Sequence, residues 1–194
     1  VRYTYNVRGW VTGIDDEYSF KQVLHYTDGL NSGTPCYSGN ISGMEWTQGG
    51  NGLSYDEDMQ QYAYRYDGLN RLTQAIYQNP SSSDIQYSAY YTYDSNSNMT
   101  GLRRMGLSRM ISSGNSFPIY DYIERLSLSY DGNQLKKVIG LCGDLTYEGA
   151  MDFRDGADRT VEYEYDANGN MTRDRYKGIY SISYNVLNLP REIL

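Results

Sequence analysis

The sequence predicts an all-β protein in which tandem antiparallel β-hairpins form one long, twisted and curved sheet. Tyrosine contributes 23 of the 194 residues, against 3 Phe and 2 Trp. Tyrosine favours strands, where it buries its ring and keeps its hydroxyl near water or a partner. Apolar and polar residues alternate at a period of two, which is typical of half-buried antiparallel strands. A turn motif that begins with Tyr-Asp recurs along the chain.

The clearest copy of this motif is the segment 161–173, VEYEYDANGNMTR. Its two tyrosines, Tyr163 and Tyr165, are expected on one face of a strand, with Glu162 and Glu164 on the other. The next five residues, DANGN, have the composition of a turn. MTR then begins the return strand, so the segment predicts one β-hairpin.

Variants of this hairpin recur, and each can be aligned on the anchor tyrosine that precedes its turn. The spacings between anchors run from 19 to 37 residues. Because the hairpins themselves are similar in length, the variation lies in the connections between them. A strict solenoid differs, since its repeating units have near-constant length. The anchor tyrosines are Tyr5, Tyr37, Tyr66, Tyr93, Tyr130, Tyr165 and Tyr184.

An Asp or Asn follows most anchors, and we expect its side chain to accept backbone N–H groups of the turn. These residues are Asn6, Asp67, Asp94, Asp131, Asp166 and Asn185. The copies at Tyr37 and Tyr130 are shorter than the template, and Pro190 breaks the pattern in the last copy.

Two further positions complete the repeat. Glycine within the turn supplies a positive φ, with asparagine as the next best residue; the sequence predicts this role for Gly9, Gly132, Gly169 and Asn70. An apolar residue after the turn returns the chain to the buried face, and these residues are Val11, Leu72, Met99, Leu135 and Met171.

The segments between hairpins predict one weak strand and several connections. Residues 18–26 alternate weakly, whereas residues 28–39, 48–52, 79–84 and 112–118 have the composition of loops or turns. Composition shows no linker, so the prediction is a single repeat region, 1–194. Because the chain opens without Met and within a predicted strand, we expect it to be a fragment of a larger protein.

Composition argues against several classes of function. The net charge of −7 disfavours nucleic acid, which attracts a basic surface. No apolar run reaches the length of about 18 residues that spans a bilayer. Cys36 and Cys142 are too few for a disulfide framework, and both two buried thiols and a single bridge remain open.

The search for catalytic or metal-binding residues predicts none. The single histidine, His25, lies in the weakly alternating segment and is best interpreted as a strand residue. Segments 94–98 and 166–170 match the D-x-N-x-N opening of a calcium loop, but Met occupies the sixth position in both, where glycine is required. Acidic runs at 15–17 and 56–58 are typical of solvated loops. We therefore expect no cofactor, no metal and no enzymatic activity.

The repeated Y-x-Y-D-x-x-G-N-[LM]-T unit resembles the YD repeat of the Rhs (rearrangement hotspot) family. YDANGNMT at 165–172 is close to the consensus of that repeat, and YDGLNRLT at 66–73 is nearly as close. The phrases YTYNVRGWVTGI and YNVLNLPREI are also similar to Rhs-type proteins of Bacteroides-like gut bacteria.

The resemblance implies a sheet ribbon that spirals into a hollow shell. In bacterial toxins of this family the shell encloses a C-terminal toxin domain, and related repeats in teneurins form a cell-surface barrel used in adhesion. The expected function is a non-catalytic structural segment of a secreted or surface-displayed bacterial protein. Its expected partners are other segments of the same protein, including an encapsulated toxin domain. The chain has no Asp-Pro pair, so the self-cleavage motif of the family is not predicted.

Two alternatives come from the residues themselves. Exposed tyrosines beside Asp and Asn are typical of carbohydrate binding, so a glycan- or protein-binding surface module is the second hypothesis. Open strand edges invite pairing with another chain, which predicts an edge-to-edge homodimer.

Overall fold

The computed structural model describes residues 1–16, 19–48, 59–79, 86–113, 115–141, 153, 156–157 and 159–194. The predicted all-β class is confirmed: these residues form strands and one 3₁₀ turn, Leu30–Ser32, with no α-helix among them. The strands are β1 Arg2–Tyr5, β2 Val11–Asp16, β3 Phe20–His25, β4 Gly43–Gln48, β5 Gln60–Tyr66, β6 Leu72–Gln78, β7 Ala89–Tyr93, β8 Met99–Ser113, β9 Asn115–Asp131, β10 Gln134–Gly140, β11 Tyr163–Tyr165, β12 Met171–Asp174, β13 Ile182–Tyr184 and β14 Pro190–Ile193.

Strands β1 to β10 form a ten-stranded antiparallel sheet in sequence order, and the sheet is not closed into a barrel. Each strand therefore neighbours the one that precedes it, as tandem hairpins require. The last two hairpins, β11–β12 and β13–β14, are separate two-stranded sheets. Hydrogen-bonded pairing is thus continuous over ten strands and interrupted after β10.

The chain divides into two compact units. The first contains Val1–Tyr90 and Arg104–Leu107, and the second contains Tyr91–Arg103 and Ser108–Leu194. The predicted single repeat region, 1–194, stays a prediction.

The first unit buries side chains on both faces of its sheet. Tyr62 stacks on Trp46 and meets the edge of Tyr77, with ring centroids 5.7 and 5.4 Å apart. Strand alternation puts Ala63 on the face opposite Tyr62, where half-buried strands are expected to meet solvent, but Ala63 is only 1% exposed. Beside it in the ladder lies Gly43, where an added Cβ would come within 2.6 Å of the Leu30 Cβ. The predicted open face was wrong here because the 3₁₀ turn covers it.

Two connections also differ from the predictions. Residues 112–118 were expected to be an exposed connection, but β8 and β9 continue through nearly all of them as strands of 15 and 17 residues. Polar and small residues lower strand propensity, but pairing with a neighbouring strand overrides it. The predicted strand at 18–26 is present as β3, and residues 49–52, 56–58 and 80–84 lie outside the described part.

Two predicted features of the repeat are corrected. Tyr37 is 66% exposed and belongs to no strand, so it is not an anchor. Pro190 does not break the last hairpin, because it begins β14 and pairs with Tyr184. Proline is tolerated as the first residue of a strand, where no ladder N–H is needed.

Candidate functional site

The turns contain most of the residues that the sequence singled out. In the turn at Asp166, Oδ1 accepts the backbone N–H groups of Asn168 and Asn170, each at 2.9 Å. Oδ2 accepts the side-chain amide of Asn170, also at 2.9 Å. The same pair of backbone bonds, to the residues two and four positions later, spans 2.9–3.1 Å at Asn6, Asp67, Asp94, Asp166 and Asn185.

The backbone of these five turns is also the same. The third residue after the Asp or Asn donates its N–H to the carbonyl of that residue, and it has a positive φ in every case. These residues are Gly9, Asn70, Ser97, Gly169 and Asn188, with φ of 77°, 59°, 69°, 84° and 55°. Ser97 and Asn188 were not predicted, although alignment of the copies would have marked both positions.

Hydrogen bonding favours the ionised form of the turn carboxylates. The backbone N–H of Arg71, together with its guanidinium, lowers the pKa of Asp67 from its ordinary value of 3.8. At Asp166 the side-chain amide and the N–H of Asn170 lower the pKa in the same direction. Each carboxylate therefore directs its charge at its own turn. Among the described residues no cluster of three or more His, Cys, Asp or Glu could hold a metal ion.

The turn after Tyr130 is different. Asp131 pairs with Gln134 across a two-residue turn, in which Gly132 has a φ of 58°. The Asp131 carboxylate accepts no hydrogen bond from any described residue, so its predicted role as turn acceptor is wrong. In four other Tyr-Asp and Tyr-Asn hairpins, the strand pairing shifts register beside the anchor tyrosine. In this hairpin the register shift lies further along, in β10, between Leu135 and Lys137.

Tyrosine hydroxyls join neighbouring hairpins. Tyr130 donates its hydroxyl to the Met99 carbonyl at 2.9 Å, and Tyr184 donates to the Met171 carbonyl at 2.7 Å. Met99 and Met171 are the post-turn residues of the preceding hairpins, so the bond links one repeat to the one before it. We call this hydroxyl-to-carbonyl bond the tyrosine tie.

Two more ties occur in the first unit. Tyr66 donates to the Ile41 carbonyl and Tyr26 to the Val11 carbonyl, both at 2.8 Å. Tyr26, which was not among the predicted anchors, thus makes a tie, whereas Tyr37 makes none. Burial raises the pKa of Tyr66 to about 12 and raises that of Tyr26, which keeps both hydroxyls protonated as donors.

The remaining anchors are placed as follows. Tyr93 ends β7 and Tyr165 ends β11, and both are half-buried. Burial raises the pKa of Tyr165. Tyr5 differs: it is 60% exposed, and its hydroxyl bonds to no described residue.

Consecutive turns lie beside one another in the second unit. The Asn98 amide donates to the Gly132 carbonyl at 2.9 Å, and the Asn170 amide donates to Asn188 Oδ1 at 3.0 Å. In both cases an asparagine four positions after the turn Asp reaches the next turn. Stacked turns and tyrosine ties therefore connect the same pairs of neighbouring hairpins.

Glu162 is the important residue that sequence reasoning missed. It was placed on the polar face, but it is 1% exposed. Its Oε2 accepts the Val138 N–H at 2.9 Å, and its own N–H donates to the Lys136 carbonyl at 2.8 Å. Its carbonyl accepts the Arg175 N–H at 2.9 Å. Glu162 thus connects β10 to the hairpin that follows it, which alternation alone could not reveal.

His25 lies in β3, as expected of a strand residue, and bridges two carboxylates. Nδ1 bonds to Asp28 and Nε2 lies 3.1 Å from Glu45 Oε2. Burial alone would lower the pKa of His25, but the hydrogen bonds to Asp28 and Glu45 outweigh it and raise the pKa above 6.5. This pairing attaches the start of the 28–42 loop to β4. Cys36, in the same loop, is a buried free thiol, and Cys142 lies outside the described residues.

One open cleft of about 390 Å³ lies in the second unit, and it is lined by Asp131, Gln134, Leu135, Lys136, Val161, Tyr163, Glu164 and Tyr165. It combines two aromatic rings with an amide, an ammonium group and two carboxylates. Burial raises the pKa of Tyr163 to about 12, so its hydroxyl stays neutral. These groups are suited to hydrogen-bonding a polar ligand such as a sugar.

No protein-family model matches this chain, and a search of curated proteins returned no match. Within the described part of the chain, no helix is long and apolar enough to cross a membrane.

Proposed function

We propose that this chain is a non-catalytic structural segment of a secreted or surface-displayed bacterial protein of the Rhs/YD-repeat type. It forms part of a wall that encloses or presents another part of the same protein, such as a C-terminal toxin domain. The supporting observation is that the polar groups of the repeat motif bond to one another, in the turns and in the tyrosine ties.

A catalytic or ligand-binding motif must leave functional groups available to a substrate. Here Oδ1 of Asp94 accepts two backbone N–H groups, and the Tyr130 hydroxyl is donated to a carbonyl. The motif is therefore used for architecture, and its recurrence is explained by a structure that grows hairpin by hairpin.

A wall also has to resist local opening, which is easiest where few buried contacts and many exposed backbone bonds occur. Ties and stacked turns add bonds between neighbouring hairpins close to their turns. Such bonds oppose separation of neighbouring hairpins, which is the failure that would open a wall.

The test uses the full-length protein, expressed with its downstream domain. Limited proteolysis is expected to spare the downstream domain in the intact protein. The double variant Tyr66→Ala and Tyr130→Ala should expose that domain to cleavage, whereas Tyr180→Ala, at a tyrosine that is 75% exposed, should not. Rapid cleavage of the downstream domain in the unmodified protein would contradict the proposal.

A glycan-binding module is the second candidate, and the cleft at Lys136 and Tyr165 favours it. A panel of glycans is screened by thermal shift on the whole chain. Stabilisation by one glycan that disappears in Lys136→Ala, but persists in the adjacent variant Lys137→Ala, would support binding in the cleft. No stabilisation by any glycan would count against this candidate.

A further inference from the structure

Among the described residues, β1 pairs only with β2, so each of β1 and β14 leaves one edge open. All four residues of each strand are exposed, and β14 pairs only with β13 among the described residues. Large apolar side chains are exposed around both strands. At the first edge these are Val1, Tyr3, Tyr5 and Val7, and at the second Tyr180, Val186, Leu187, Leu189, Ile193 and Leu194.

The two edges carry complementary halves of a tyrosine tie. Tyr5 holds the anchor position of the first hairpin, and its hydroxyl bonds to no described residue. Pro190 follows the last turn, as Met171 follows the turn of the preceding hairpin. The Met171 carbonyl receives the hydroxyl of Tyr184, whereas no tyrosine of the described chain donates to the Pro190 carbonyl.

We propose that β1 of one copy of the chain binds β14 of a second copy, with the Tyr5 hydroxyl donated to the Pro190 carbonyl. The contact would repeat the junction that Tyr130 and Tyr184 make inside the second unit. The inference does not depend on the family resemblance.

The direction of the ties predicts a head-to-tail contact between unlike edges. In the ties of Tyr130 and Tyr184 the donor lies before a turn and the acceptor follows the turn of the preceding hairpin. Pairing β1 with β1 would bring two Tyr5 hydroxyls together and would provide no post-turn carbonyl to accept them. A contact between unlike edges leaves one edge of each kind free, so further copies can add.

The residue after the turn Asp or Asn provides independent support. It is Val7 in the first turn and Val186 in the last, and both side chains are fully exposed or nearly so. In the turns between them the residue is small: Gly68, Ser95 or Ala167. Because neighbouring turns lie side by side in the second unit, these two valines would meet at a junction of the same kind. Burying them there is favourable.

The first experiment measures sedimentation velocity of the whole chain over a range of concentrations. We expect reversible association that grows with concentration. Tyr5→Phe should weaken it about fivefold, the effect of losing one hydrogen bond. Tyr130→Phe, which removes an internal tie, should leave the association constant unchanged. A chain that stays monomeric at all concentrations would overturn the proposal.

The second experiment blocks one edge at a time. One variant carries Tyr3→Lys and Tyr5→Lys, and the other carries Leu189→Lys and Ile193→Lys; circular dichroism confirms that both fold. Each variant alone should be monomeric, and an equimolar mixture should form a one-to-one dimer through the two unblocked edges. Homodimers of either variant would show pairing of like edges and would refute the head-to-tail contact.

Discussion

The turns after Tyr93 and Tyr130 begin with the same dipeptide but close in different ways. At Asp94 the carboxylate accepts the N–H groups of Asn96 and Asn98, each at 2.9 Å. At Asp131 the carboxylate accepts nothing from the described residues, and Gly132 closes the turn through its positive φ. The turn after Tyr130 is one residue shorter than the turn after Tyr93. It is closed by the backbone conformation of Gly132, whereas the longer turn is closed by hydrogen bonds to the Asp94 side chain.

The shorter turn also changes how its hairpin meets the next one. The pairing register of this hairpin shifts between Leu135 and Lys137. Just beyond the shift, the Glu162 carboxylate accepts the Val138 N–H. A local change in turn length is thus accompanied by a buried carboxylate from a distant part of the sequence.

The largest effect is expected at Glu162. Glu162→Ala removes the acceptor of the buried Val138 N–H, so the free energy of unfolding should fall by about 2–3 kcal/mol. Glu162→Gln keeps an oxygen acceptor and should lose less. Urea unfolding measures both variants, and equal stability of Glu162→Ala and wild type would show that the short-turn hairpin needs no such acceptor.

The two aspartates should respond differently to the same substitution. Asp94→Ala removes two backbone hydrogen bonds and should cost about 1–2 kcal/mol, as loss of a capping residue does. Asp131→Ala should stay within about 0.5 kcal/mol of wild type. Asp94→Asn should retain stability, because Asn6 and Asn185 close equivalent turns. Similar losses at both aspartates would remove the distinction between the turns.

Gly132 should matter more than a glycine with ordinary backbone geometry. Gly132→Ala places a Cβ at φ 58° and should cost about 1 kcal/mol, because L-residues are strained in the left-handed region. Gly132→Asn should cost less, since Asn70 and Asn188 adopt the same region. Gly68→Ala is the matched control, because nothing lies within 4 Å of its added Cβ. Chemical denaturation that ranks Gly68→Ala as the worse variant would contradict this expectation.

A tyrosine tie should contribute the same small amount after either type of turn. Tyr130→Phe and Tyr184→Phe each leave a carbonyl without its hydroxyl donor and should lose about 1 kcal/mol. Tyr180→Phe, at an exposed hydroxyl, should be neutral. The midpoints of urea denaturation test this expectation. Equal midpoints for all three variants would show that the tie contributes nothing to stability.

The smallest effect concerns acid. Turn hydrogen bonds lower the pKa of Asp166 below 3.8, so its contribution is complete above the unfolded-state pKa and is lost as pH falls through the folded-state pKa. Asp166→Asn should therefore flatten the decline of stability below about pH 4. A parallel pH profile in wild type and variant would show that the ionised carboxylate adds nothing over the amide used at Asn185.

Much of the hairpin unit could be predicted from local sequence. The alternation of Leu126, Leu128 and Tyr130 marks a strand, and Asp followed by Gly or Asn marks a turn, because both signals act over a few residues. The positive φ at Ser97 was missed because its signal lies in comparison with the other copies, since serine itself has no preference for that region.

By itself, the sequence determined the all-β class and the turns that follow Tyr5, Tyr66, Tyr93, Tyr130, Tyr165 and Tyr184, because these depend on side-chain periodicity and short-range hydrogen bonding. The tertiary structure decided which residues connect the hairpins. It placed Tyr26 rather than Tyr37 in a tie, covered Ala63 with the 3₁₀ turn, buried Glu162 against β10, and left Asp131 without a turn role. Each of these depends on which distant segment lies against the residue, and local alternation contains no information about that neighbour.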